Sequence, residues 1–146
     1  HGHRYYSSNN SARDAIFVLL GLSAITAIAV AASKSSKKKE KIVIEEQYEQ
    51  VSQDLTLTPE QQEQVRKIFD TNREKLAPIR DEKAAKTLAL QQEQAKANPN
   101  EAVINNLENE ISQLSMSIFR ITQDTKNQLQ TILTPEQYEA MEEMQL

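Results

Sequence analysis

Between residues 104 and 121 the isoleucines and leucines fall at Ile104, Leu107, Ile111, Leu114, Ile118 and Ile121. That 3-4-3-4-3 spacing lines one stripe of an α-helix, whereas in a strand it would scatter over both faces. It is an a/d seam of the coiled-coil type. The seam then passes Thr125 and resumes at Leu129, Ile132 and Leu133, a four-residue stutter that locally unwinds any supercoil. The rest of the chain agrees with helix. Ile44, Tyr48, Val51 and Leu55 share one face of a short helix. A longer pattern runs from Pro59 to about Lys96, carrying Val65, Ile68, Phe69, Leu76, Ile79, Leu88 and Leu90. Pro78 lies inside it, where a missing donor and a crowded ring predict a kink or a break. A last short helix after Pro135 turns Tyr138, Met141 and Met144 inward. No strand pattern competes, so the body is all-α.

Asn98-Pro99-Asn100-Glu101 separates the two long helices. Asn98 is predicted as the N-cap, with Pro99 at the first helical position and Glu101 as the capping-box acid. So short a connection makes the helices antiparallel, a hairpin about 50 Å long at 1.5 Å per residue. The flanking short helices pack at its open end. One partner helix cannot cover stripes of this width, and so thin a body has a small core. A symmetric homodimer is therefore expected.

The pentapeptide Leu-Thr-Pro-Glu-Gln occurs at Leu57–Gln61 and again at Leu133–Gln137. Both copies read as helix starts. Thr58 and Thr134 are N-caps, and Gln61 and Gln137 can reach back to complete capping boxes. Pro59 and Pro135 give up a donor that would be orphaned anyway, and Glu60 and Glu136 face the positive end of the helix dipole. Each cap is worth about 1–2 kcal/mol. The residues that follow diverge, so the motif is not the trace of an internal duplication.

Composition removes most chemistry. The chain has no Cys and no Trp, its two His are His1 and His3, and its two Gly are Gly2 and Gly21. Disulfides, thiol catalysis and thiolate metal sites are excluded. Nothing pairs a nucleophile with a base, and the carboxylates sit on solvated helix faces, so no enzyme activity and no cofactor are expected. Met116, Met141 and Met144 could serve a soft metal, yet methionine at helical spacing is more often core, and no metal site is expected. Residues 1–42 carry seven Lys/Arg against Asp14 and Glu40, a net +5, and residues 43–146 carry −9. An acidic body of this kind is a poor partner for nucleic acid.

The N-terminal third divides into a polar segment over 1–14, an uncharged run over 15–32 and a Lys/Ser-rich linker over 33–43, ahead of the helical domain at 44–146. Eighteen uncharged residues are just enough for a transmembrane helix of minimal length. A cleaved signal is the competing reading, with Ala29-Val30-Ala31 as a cleavage site. The lysines after the run would put the body in the cytoplasm by charge alone.

Two L-T-x-x-Q motifs bracketing a long helical hairpin resemble the Spy/CpxP family, the LTxxQ-motif proteins of the bacterial periplasm. The resemblance covers about residues 55–146 and includes the Arg-rich, apolar-interleaved stretch from Val65 to Lys86. It implies a cradle-shaped antiparallel homodimer that binds unfolded or stressed proteins without ATP. It also implies a periplasm-facing body, which is the orientation expected here; an inner-membrane anchor at residues 15–32, read from the uncharged run, is a departure from the soluble chaperones of that family. On that reading the client-binding candidates are Arg66, Phe69, Arg73, Leu76, Ile79, Arg80 and Lys83. An anchored hairpin is also similar to membrane-anchored sensors of the CnrX type, which makes a periplasmic sensor or regulatory subunit the alternative. Those sensors bind metal through His, and this body has none.

Overall fold

A computed structural model describes residues 14–23 and 34–146. Five helices are present among them: α1 (Ala15–Leu19), α2 (Lys34–Asp54), α3 (Pro59–Gln94), α4 (Glu101–Ile132) and α5 (Pro135–Glu143). There is no strand among the described residues, only one isolated antiparallel bridge between Asp14 and Gln145. The expected all-α hairpin is α3 against α4. At 1.5 Å per residue the 36 residues of α3 extend about 54 Å.

Contacts from base to tip set the antiparallel register. Gln61 Nε2 donates to the Ile132 carbonyl at 3.1 Å, and Asn72 Nδ2 to Thr125 Oγ1 at 2.8 Å. Farther along, Lys86 Nζ donates to Glu110 Oε2 at 2.9 Å, and Glu93 Oε2 accepts from the Asn100 N–H at 2.9 Å. The Asn72–Thr125 pair is buried, and Thr125 is the residue at which the seam of α4 breaks step. A polar pair inside an apolar interface favours one alignment, because a slip strips the buried Asn72 carboxamide of its partners on α4.

The core lies at the open end of the hairpin. Ile44, Tyr48 and Val51 of α2 and Leu55 just after it are all buried there, joined by Val65, Phe69 and Leu76 of α3, Leu129 of α4 and Met141 of α5. Tyr138 and Met144 pack against this cluster. Toward the tip only two helices cover each other. Leu107, Ile111, Leu114, Ile118 and Ile121 are consequently only half-buried, and Met116 and Phe119 are exposed.

Three local expectations are corrected. Of the kink or break expected at Pro78, the break does not occur, and α3 runs through the proline as one helix. The proline is solvent-exposed, so water can take up the acceptor it orphans, and the packed turns on either side hold the helix. The N-cap of α4 is Asn100, two residues later than expected, its Oδ1 accepting from the N–H groups of Ala102 and Val103 at 3.0 and 3.3 Å. The reason is Glu93. Its carboxylate takes the Asn100 N–H from across the turn and so holds Asn100 outside the helix. Residues 34–43, expected as a solvated linker, are the first part of α2.

The junction between α2 and α3 has no glycine to use. The N–H of Leu57 bonds to the Ser52 carbonyl at 3.0 Å and that of Thr56 to Gln53 at 3.2 Å, with Thr56 at φ 52°. This is a Schellman cap with a β-branched residue in the left-handed position where glycine is usual.

The expected span over 15–32 takes a different course in its described part. α1 ends after five residues, and Gly21 adopts φ 75°. The N–H groups of Gly21 and Leu22 bond back to Val18 and Phe17 at 3.0 and 3.1 Å, a glycine-terminated Schellman cap. Ala15, Ile16, Leu19 and Leu20 are at most 3% exposed and belong to the core. Among the described residues no helix is long and apolar enough to cross a membrane. Residues 24–32 of the expected span lie outside the described residues, as do residues 1–13 of the polar segment.

Candidate functional site

The two pentapeptides meet. Each forms the capping box its sequence predicts: Thr58 Oγ1 accepts from the Gln61 N–H at 3.1 Å and Gln61 Oε1 from the Thr58 N–H at 3.1 Å. The second copy repeats this, with 3.1 Å from the Gln137 N–H to Thr134 Oγ1 and 3.0 Å from the Thr134 N–H to Gln137 Oε1. The carboxamides then face one another across the base of the hairpin. Gln61 Nε2 donates to Gln137 Oε1 at 2.9 Å, and Gln137 Nε2 to Gln61 Oε1 at 3.3 Å. Gln61 Nε2 also reaches the Ile132 carbonyl, and Gln137 Nε2 the Leu55 carbonyl at 3.3 Å. Each glutamine thus caps its own helix and donates to backbone just before the other motif. Leu57 and Leu133 are 6% exposed beneath this clasp. Spacing alone predicts the caps. The clasp needs the hairpin to close, so no local signal could have revealed it.

The seven residues expected to meet clients lie along one side of α3, and the fold treats them unequally. Phe69 and Leu76 are buried in the core, at 0 and 1% exposure, and are inaccessible in this conformation. Ile79 and Lys83 are half-buried. Arg66 pairs with Glu45 and lays its guanidinium over the Tyr48 ring, 4.4 Å from the centroid. The hydrogen bond to the Glu45 carboxylate raises the pKa of the Arg66 guanidinium further above its ordinary value. Arg73 and Arg80 are mostly covered.

What covers them is α1. Arg73 donates from Nε to the Leu19 carbonyl at 2.8 Å, from Nη1 to Asp70 at 2.9 Å and from Nη2 to Tyr48 Oη at 2.7 Å. Tyr48 Oη passes its own proton toward Asp70 Oδ1 at 2.9 Å. Burial, more than the opposing pull of Arg73, pushes the Tyr48 phenol well above the usual tyrosine range. Arg80 Nη1 donates to the Gly21 carbonyl at 2.8 Å. The two arginines therefore hold the end of α1: Arg73 takes the Leu19 carbonyl, which the cap leaves without a helical donor, and Arg80 takes the Gly21 carbonyl in the turn that follows. At the other end the Ala15 N–H donates to the Met144 carbonyl at 3.1 Å, and Gln145 Nε2 to Asp14 Oδ1 at 3.0 Å.

Among the described residues no group of three or more His, Asp or Glu is arranged to hold a metal ion. Met141 is buried in the core, Met144 packs against it, and Met116 is exposed on α4. An open cleft of about 1080 Å³ lies between α2 and the start of α3, lined by Glu45, Glu46, Glu49 and Glu63 against Lys41 and Arg66. It has acidic walls and no aligned nucleophile.

A helical hairpin closed at its base by paired, capped Thr–Gln motifs defines a structural class without an evident reaction centre. Residues 43–145, more than two thirds of the chain, match the family described as LTXXQ motif family protein, and the chain belongs to that family. No curated protein and no solved structure matches the chain.

Proposed function

We propose that this protein is an ATP-independent holdase of the bacterial cell envelope, binding unfolded or stressed proteins in the periplasm. One observation carries the reading. The fold leaves a long apolar strip, Leu107 to Ile121, only half-covered on a thin two-helix arm. Such a strip, flanked by mobile charged side chains, offers many weak and unspecific contacts to non-native chains. Membership of the LTXXQ family supports the envelope setting and the non-catalytic role.

The holdase works as a homodimer, in which a second arm shares the strip and curves the pair into a cradle. Sedimentation equilibrium across the micromolar range is expected to give the dimer mass, and a monomer throughout rejects this assembly. Light scattering of an aggregating client is expected to fall in the presence of the purified protein without nucleotide. No suppression at several-fold excess rejects the holdase.

A further inference from the structure

The contacts between α1 and the rest of the molecule have an unusual chemistry. Both arginines read backbone, and neither reads a side chain of α1. Carbonyls without helical donors mark the last turn of every helix, whatever its sequence. Below them the surface accepts apolar side chains of unremarkable shape, those of Ala15, Ile16, Leu19 and Leu20. A surface that combines apolar ground with two fixed carbonyl donors fits a short apolar helix end that closes on a glycine turn.

The segment seated there is itself a weak helix. Five residues lie far below the length at which a helix persists alone in water. α1 therefore exists as a helix only while docked, and its folding and binding are one equilibrium. The closeness of Gly21 to the arginines sharpens this. A side-chain carbon added there would fall 2.9 Å from Arg80 Nη1 and 3.4 Å from Arg73 Cγ, at a φ that disfavours any side chain. The arginines thus lie flush against a glycine turn.

We propose that the surface of α2, α3 and α5 under residues 14–22 is a receptor for the C-terminal turn of a short apolar helix, with Arg73 and Arg80 as its carbonyl donors. Residues 14–22 are its resident, displaceable occupant. In trans it takes the exposed apolar helix ends of non-native proteins, a step that rests on the holdase reading above. Docked, the segment withholds Phe69, Arg73, Leu76 and Arg80 from clients; displaced, it releases them together.

The bridge between Asp14 and Gln145 supplies the test, because the chain has no cysteine of its own. Paired bridge residues lie close enough for a disulfide. In the full chain, D14C with Q145C is expected to oxidise readily and lock the segment in place. The probe is a fluorescent peptide of the sequence of residues 14–23 with a lysine tail at its N-terminus, followed by anisotropy. Locking removes the binding-competent fraction, so the oxidised protein is expected to bind at least roughly tenfold more weakly than the reduced one, with recovery on adding dithiothreitol. Gly21→Ala, which loosens the occupant, is expected to bind the peptide more tightly than the unaltered chain. Failure of the disulfide to form, or equal binding by locked and unlocked protein, overturns the receptor. Client light scattering on the same samples separates the two readings. If peptide binding follows the lock while no form suppresses aggregation, the receptor stands and the holdase reading falls.

Discussion

At the scale of single residues, Gln61 shows how much one side chain can be asked to do. Its carboxamide accepts from its own N-cap, donates to Gln137 and donates to the Ile132 carbonyl. Gln61→Glu keeps the acceptors and removes the donor, setting a carboxylate against a carbonyl oxygen. A loss of about 1–3 kcal/mol is expected in urea unfolding, the cost of a polar group left without its partner. A loss no larger than that of an ordinary surface substitution would show the clasp to be incidental. Thr56 points the other way. A β-branched residue in the left-handed region costs roughly 1–2 kcal/mol, part of which a glycine returns through its freer unfolded chain. Thr56→Gly is therefore expected to stabilise the protein by roughly 0.5–1 kcal/mol, read as a higher urea midpoint at unchanged slope. The capping threonines were legible in the sequence because capping is local chemistry. The carboxamide pairing was not, because its partners are 76 positions apart.

At the scale of elements, register and turn are each held by a polar side chain. Asn72 donates to both Thr125 and Gln128 from inside the hairpin. Asn72→Ala is expected to cost about 1–3 kcal/mol in the same unfolding measurement, more than truncation of an exposed neighbour on α3. Glu93 binds Lys96 Nζ at 2.8 Å and the Asn100 N–H at 2.9 Å, and these bonds, the lysine first, hold its carboxyl below the usual glutamate range. A depressed carboxyl stabilises the fold above its ordinary pKa of 4.5, and that contribution disappears as pH falls through the lowered value. Glu93→Gln is expected to be less stable than the unaltered chain at neutral pH, with the gap closing well below pH 4.5. A gap that stays constant with pH would remove Glu93 from control of the turn. The seam of α4 announced the helix, its length and its antiparallel partner. Read from sequence, the cap of α4 falls at Asn98, yet Asn100 offers the same chemistry and a carboxylate on the other helix selects it.

At the scale of the whole molecule, the position of residues 14–22 decides which surfaces are open. Asp14 lies at the edge of this segment, facing Gln145, Lys126 and Glu142. Burial raises its carboxyl above the usual aspartate range, with Glu142 adding to the effect while the bond from Gln145 and the charge of Lys126 oppose it. A raised carboxyl favours the folded state at low pH and loses that contribution as pH rises through the raised value. Docking of α1 is thus expected to loosen slightly as Asp14 ionises. Because the chain contains no tryptophan, Phe17→Trp provides a single reporter whose emission should move to the red over that interval. Adding Asp14→Asn is expected to flatten the response. A transition that survives Asp14→Asn would assign it to another group.

The sequence by itself determined that the chain is helical, where α3 and α5 begin, and that the long helices run antiparallel. Periodicity, caps and loop length act over a few residues and need no fold to express them. Only the tertiary structure decided where the first residues of the uncharged run, 15–22, go. Eighteen residues without a charge satisfy a bilayer, and the first of them equally satisfy an apolar surface with two arginines to hold the Leu19 and Gly21 carbonyls. Hydropathy measures only the wish to leave water. The destination depends on donors more than fifty positions away, brought alongside by the folding of the hairpin.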